Sequence, residues 1–387
     1  MYKHLYDEFY KIYGDSNEEI RIFKSPGRVN LIGEHIDYNG GYVLPAALSM
    51  CTTVLIRQRD DRIIRLYTTD LKYVVEADLD RLEFYKDYQW GNYQLGVAYQ
   101  LMTEGFLIPG CEMLFEDKVP LGSGLSSSAA IEVATALALN RVGGYNTGMK
   151  QLALISQLAE HNYVGVKCGI MDQFASAMGK EDHAILLDCR DLSYSYIPLD
   201  TKEYKLVISN TKKRRSLGES AYNQRREECE TALEILKHEF PNAKYLCDIS
   251  YSGLRENINL IEDSVVRNRA VHVISENERV IKSAKALKAG NLKEFGKFMT
   301  ESHESLRDLY EVSCIELDVL VDEALKQDGV LGSRMTGAGF GGCTVSLVHE
   351  SKIELFVDNV GSAYKEKTGI DAEFYISDIS SGGTEVV

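Results

Sequence analysis

The sequence predicts two α+β domains, and three observations carry that expectation. Its 387 residues suffice for two or three domains, 44% of them are hydrophobic, and segments of strand character mix with helical ones in both halves. Composition places the boundary loosely near residue 200, which divides the chain into residues 1–200 and 201–387. No internal repeat, low-complexity tract or Pro/Ser-rich linker interrupts it.

In chain order, "MYKHLYDEFYKIYG" has the spacing of an amphipathic helix, and a strand is expected around Ile20 to Lys24. "CTTVLIRQR" and "IIRLYTTD" carry β-branched residues and read as strands. Helices are expected over Trp90 to Thr103, Ser126 to Arg141 and Met149 to Val164. "HAILLDCR" and "YKLVISN" return to strand character. Ser220 to His238 and Ser264 to Leu325, rich in Glu, Lys, Arg, Leu and Ala, favour helix. "CTVSLVHE" and "DAEFYISDI" close the chain as strands.

Charge and cysteine usage exclude several classes. With 43 Lys+Arg against 58 Asp+Glu the formal charge is −15, which disfavours nucleic acid and anionic membranes as partners. The one basic run, Lys212 to Arg215, reads as a solvated or ligand-edge patch. The eight cysteines form no CxxC pair and no Cys/His cluster at zinc spacing, so reduced thiols in a cytoplasmic protein are expected. Neither a signal-type apolar segment nor a bilayer-length run is present.

Three stretches carry chemistry. In "VPLGSGLSSSAAIEVATALALNR", a Gly/Ser loop runs into a helix in which only Glu132 and Thr135 are polar between Ala129 and Leu139, so the helix is expected to be buried on nearly all sides. Its first turn leaves N–H groups unpaired at the positive end of the helix dipole. Ser126, Ser127 and Ser128 can cap some of them, Gly122 and Gly124 permit close approach, and an anion such as phosphate fits there. The bland alternative is a capped core helix.

In "SPGRVNLIGEHIDYNGGYVLPAAL", Arg28, Glu34, His35 and Asp37 crowd among glycine and apolar residues. Such partly buried charges suit a polyhydroxylated ligand, or else an internal salt bridge holding a turn. Downstream, "AEHNYVGVKCGIMDQFASAMG" places Asp172 in an apolar setting as a candidate general base and Glu160 as a hard oxygen donor of the kind Mg²⁺ takes. Finally, "RMTGAGFGGCTVSLV" contains GxGxxG, but a strand pattern follows the glycines where a dinucleotide fold needs a helix, so it reads as a second glycine loop closing on a ligand. Neither a P-loop nor a protein-kinase motif set is present.

Together "GRVNLIGEHIDYN", "PLGSGLSSSAA", "CGIMDQF", "ESAYNQRREECE" and "TGAGFGGC" resemble, in the same order, motifs of the GHMP small-molecule kinases, and within them of the members that phosphorylate galactose. The resemblance covers about residues 20 to 345. It implies an N-terminal domain like domain 2 of ribosomal protein S5, a ferredoxin-like C-terminal domain, and a site between them. It further implies transfer of the γ-phosphoryl group of ATP, with Mg²⁺, to the C1 hydroxyl of α-D-galactose, the first committed step of galactose catabolism, by a monomer.

Carried over by position, Asp172 matches the catalytic aspartate and Arg28 the arginine that holds it ionised. Arg28, Glu34, His35, Asp37, Gly169, Asp172 and Tyr222 match sugar-binding positions. Gly122, Ser123, Gly124, Leu125, Ser126, Ser127 and Ser128 match the phosphate loop, Ser128 and Glu160 the magnesium ligands, and Trp90 and Tyr93 the aromatic positions near adenine. Trp90 read by itself would be core packing. Two alternatives stand beside this reading. Ile36 occupies a position where many galactose kinases carry threonine, which resembles the N-acetylgalactosamine 1-kinases. The family also includes non-catalytic sensors of galactose and ATP.

Overall fold

The computed structural model describes residues 2–86, 90–213 and 218–386, with backbone only for 218–220. The first sheet arises from strict alternation along its strands. Phe23, Val54, Ile56, Met113 and Phe115 face one way, while Ile22, Leu55 and Leu114 face the other. The first set packs under helices Gly91–Thr103, Ser127–Val142 and Met149–Ala159 through Leu95, Leu101, Leu137, Leu152 and Ile155. The second set is covered by Leu5 and Phe9 of the opening helix Lys3–Tyr13.

In spatial order this sheet runs Thr384–Val386, Ile20–Asn30, Pro45–Gln58, Cys111–Asp117, Ile63–Thr68 and Tyr73–Asp78. Its one parallel pairing joins Ile63–Thr68 to Cys111–Asp117. The last strand comes from the far end of the chain, where Arg21 and Glu385 form an ion pair at 2.7 Å.

A second, antiparallel sheet orders Val330–Thr336, Cys343–His349, Tyr204–Asn210 and Glu373–Ser377. Helices Ile315–Leu325 and Ile353–Thr368 cover Val207 and Val348 on one face. On the other, Leu206, Ile208, Val345 and Leu347 join a core that includes Phe295 and Met299 and continues into Val29, Leu31, Ile32 and Ile36 of the first half. Because this core is continuous, the region around residues 28–40 is clamped between the two sheets. A small sheet of Tyr42–Val43, His183–Asp188 and Tyr194–Pro198 lies beside it.

The helical stretch expected over Ser264 to Leu325 is three helices. Ser264–Lys288, capped by the Asp263 carboxylate, stops at Gly290 in left-handed conformation, and Leu292–Ser305 restarts on the Asn291 side chain. A π turn, Leu306–Tyr310, then ends at Glu311 with φ 53° before Ile315–Leu325 begins. The helix expected to Val164 also turns π from Glu160, closed by Gly165 at φ 93°. Helix Ile353–Thr368 was absent from the sequence expectation, although Phe356, Val360 and Tyr364 recur at a four-residue helical spacing.

Candidate active site

Strand Ile20–Asn30 slips register between Pro26 and Arg28, and after that irregularity the ladder resumes with Arg28 opposite Ala47. The Arg28 backbone N–H donates to Leu125 O at 3.0 Å and its Nη1 to Gly124 O at 2.7 Å, fastening the strand to the Gly/Ser loop. Nε and Nη2 both donate to Asp172 Oδ1, at 2.8 and 2.6 Å. Asp172 opens helix Met171–Met178, and the structure therefore brings together the two residues expected to act as a pair.

The loop corrects one expectation. Ser126 stands at the N-cap of Ser127–Val142, yet its side chain makes no capping bond. Its backbone is left-handed, φ 60° and ψ 52°, and its Oγ donates instead to Asp172 Oδ2 at 2.5 Å. A nearby negative carboxylate is a stronger acceptor partner for a hydroxyl than a helix N–H is a donor to it. The first helical bond at this end is Ala130 N to Ser126 O, leaving the preceding N–H groups of the turn without helical partners.

Ser123 is fully buried and braces the loop from within, its Oγ donating to Pro120 O and accepting from Leu125 N. Gly122 and Gly124 both have positive φ, and nothing lies within 4 Å of a Cβ added at Gly122. The helix itself is enclosed as expected, from Ala129 through Asn140 with the exception of Ile131.

On the other side of Asp172, buried Glu34 accepts from Thr336 Oγ1 at 3.0 Å and Gly337 N at 2.8 Å, and pairs with Arg334 at 3.3 Å. It thus ties the first motif to the third, "TGAGFGG", which is a loop between antiparallel strands Val330–Thr336 and Cys343–His349 and not a dinucleotide turn. His35 has φ 62°. Its Nε2 must donate to the Ala338 carbonyl, so Nδ1 accepts from the Tyr38 hydroxyl, Tyr38 accepts from Tyr310, and Tyr310 accepts from the Cys229 thiol. Burial lowers the imidazole pKa to about 3, which keeps His35 neutral.

Asp37 is pushed up to about 6, chiefly by burial, with the Asp172 and Glu34 carboxylates adding to it. A Cβ at Gly169 would stand 2.1 Å from Asp37 Oδ2, so this position admits only glycine while Asp37 keeps its place. The Tyr222 ring lies 5.5 Å from both His35 and Tyr38. The pKa of its hydroxyl is raised, first by burial and then by the charges of Asp37 and Asp172.

Beyond Asp172, Gln173 Nε2 donates to Glu160 Oε2 at 2.7 Å and to Glu132 Oε2 at 2.9 Å. Burial, then charge coupling among Glu132, Glu160 and Asp172, raises both glutamates. Glu132 Oε1 and Gln173 Oε1 are buried without a partner. Hard oxygens with unused lone pairs in an acidic pocket fit a divalent cation such as Mg²⁺, which takes one or two carboxylates and completes its shell with water and phosphate. Among the described residues no three His, Cys, Asp or Glu side chains converge into a cage, and no hydrogen bond joins Ser128 to Glu160.

Half-buried Tyr93 has its hydroxyl pKa raised, first by burial and then by the Glu160 and Glu132 charges, while Trp90 packs on Phe115 with its Nε1 buried and unpartnered. Lys212 and Lys213 pair with Glu373 and Glu316, and Arg214 and Arg215 lie outside the described residues. Tyr38, Glu132, Gln173 and Arg334 stand inside the quoted stretches without having been given a role there, and Tyr310 lies outside all of them. Only Glu132 carried a local signal, as an acid in an otherwise apolar helix.

Residues 7–58 match the family model for the galactokinase galactose-binding signature, 92–180 the GHMP kinase N-terminal domain and 283–366 the GHMP kinase C-terminal domain. A galactokinase of Clostridium tetani is 47% identical over 98% of this chain and 96% of its own. The chain belongs to the galactokinase family. A galactokinase of Bacillus subtilis is 45% identical, covering 98% of this chain and 97% of its own. The solved Lactococcus lactis galactokinase complexed with galactose superposes with TM-score 0.94 at 42% identity, over 99% of both chains. A mevalonate kinase structure, at TM-score 0.67 and 21% identity over 93% of this chain and 99% of its own, shares the fold. The two-domain GHMP kinase fold and an ATP-dependent sugar kinase class are therefore established for this chain. Among the described residues no helix is long and apolar enough to cross a membrane.

Proposed function

We propose that this site transfers the γ-phosphoryl group of MgATP to the C1 hydroxyl of α-D-galactose, giving galactose 1-phosphate and ADP. The observation that carries the reading is the position of Asp172, bonded to Arg28 and Ser126 between the glycine loop and the acidic, tyrosine-lined pocket. The sugar oxygen attacks phosphorus, the bond from phosphorus to the β-phosphate oxygen breaks, and the hydroxyl proton passes to Asp172. Arg28 offsets charge on that carboxylate. Glu34, His35, Asp37, Gly169 and Tyr222 form the sugar side, Asp37 accepting from a sugar hydroxyl and Gly169 leaving it room.

On the nucleotide side, the loop from Gly122 to Ser128 receives phosphate on open N–H groups, and Trp90 and Tyr93 flank the adenine. Ser128 and Glu160 would hold Mg²⁺, which neutralises phosphate charge when bound. The reading keeps two domains, residues 1–200 and 201–387, with Thr384–Val386 returned to the first sheet, in a cytoplasmic monomer. Ile36, the position that raised the N-acetylgalactosamine alternative, is fully buried and lies beside Gly41. The complete serine loop and the held Asp172 favour catalysis over a sensor.

ADP release with galactose, N-acetylgalactosamine, glucose and no sugar tests this, followed by identification of the phosphorylated carbon. Turnover with galactose and phosphate on C1 is expected; preference for N-acetylgalactosamine, or binding without turnover, overturns it.

A pH series tests the sugar side separately. Asp37, with its pKa near 6, is ionised above that pH and takes up a proton below it, losing acceptor capacity. The KM for galactose should rise about fourfold between pH 7.5 and 5.5. A flat KM would remove Asp37 from the sugar contact.

A further inference from the structure

Ser126 is the residue of the glycine loop whose geometry the phosphate role leaves unexplained. A serine at a helix N-cap ordinarily turns its oxygen onto the N–H two or three residues on, from an extended backbone. This one adopts a left-handed backbone that non-glycine residues seldom take, makes no cap, and is buried with its hydroxyl on Asp172 Oδ2. The other oxygen of the same carboxylate, Oδ1, receives both bonds from Arg28.

We propose that Ser126 is a positioning residue for Asp172, locking the rotation of the carboxylate so that one lone pair of Oδ2 stays open to the incoming hydroxyl. The proposal rests on the kinase reading above. A carboxylate oxygen accepts two hydrogen bonds. Arg28 occupies Oδ1 twice, so the carboxylate could still pivot about that oxygen. The Ser126 hydroxyl removes the pivot from the opposite side and uses one of the two sites on Oδ2. The same turn of the side chain leaves the first helical N–H groups uncapped, so one backbone conformation both orients the proton acceptor and clears the anion site. A cap in the ordinary geometry would do neither.

Ser126→Gly is the informative variant, because glycine adopts the left-handed backbone without strain and lacks only the hydroxyl. The melting temperature should hold or rise. With galactose and ATP, kcat should fall about tenfold while the KM for ATP stays within twofold. A raised KM for ATP with kcat retained would make the hydroxyl a phosphate ligand and overturn the proposal. So would unchanged kinetics, which would leave the backbone conformation as the reason for the residue.

A crystal structure of the variant reads the same point without turnover. An Asp172 carboxylate rotated away from its present orientation supports the proposal, and an unmoved one overturns it. Failure of the kinase reading is told apart by the wild-type protein, which would then lack turnover with galactose while the crystallographic result still stands.

Discussion

Asp172→Asn should lose about 10³-fold in turnover, because a positioned proton acceptor contributes roughly 10²–10⁴-fold and the amide cannot take the proton. The substitution keeps the shape of the side chain. Arg28 keeps its bond to Gly124 O and can still donate to the amide oxygen, whereas the Ser126 hydroxyl loses its acceptor when Oδ2 becomes an NH₂. The fold should therefore persist, and binding of ATP and galactose measured by calorimetry should remain within a few-fold of wild type. Steady-state kinetics decides the matter: a kcat within threefold of wild type would show that Asp172 is not the proton acceptor.

Arg28→Ala should damage both stability and turnover. Its guanidinium is almost wholly buried and serves two partners, Asp172 Oδ1 and the Gly124 carbonyl, so its removal leaves both short of donors. Each stranded group costs about 1–3 kcal/mol, toward the low end for Asp172, whose side chain is 30% exposed. Water entering the space recovers part of that. The loop loses its tie to the strand at the same time, so the KM for ATP should rise while kcat falls about 10²–10³-fold. Thermal melting and kinetics on one preparation test both parts. A stable variant with near-normal kcat would reduce Arg28 to a surface-like pairing without a part in catalysis.

The two substitutions separate functions that the resemblance alone had joined. Asp172→Asn leaves the scaffold and removes chemistry; Arg28→Ala removes scaffold and chemistry together. Their different effects on melting follow from burial, since Arg28 spans two segments 96 and 144 positions away in sequence.

By itself the sequence determined a good deal about this protein. Segments carrying β-branched residues specified strands, the nearly all-apolar run after the serines specified a buried helix, and five ordered motifs carried the resemblance to GHMP kinases. These are local signals, written within ten to twenty residues, and they survive folding because each one satisfies its own segment. The register slip at Arg28, the two π turns and the breaks between the C-terminal helices were not legible, since they depend on what packs across from them.

The role of Ser126 was legible only in part. Its place before a helix predicted a cap, and from that string the prediction was sound. Tertiary structure brought Asp172 from 46 positions away to within hydrogen-bond reach, and a charged acceptor competed successfully for the hydroxyl. The same holds for Glu34, whose partners Arg334, Thr336 and Gly337 lie about 300 residues distant, and for Glu132, which gained meaning only beside Glu160 and Gln173. Short-range propensity chose the elements, and the resemblance of the ordered motifs named the family. Long-range electrostatics in a buried pocket decided which atom each side chain faces, because there an unpaired polar group costs more than local propensity can return.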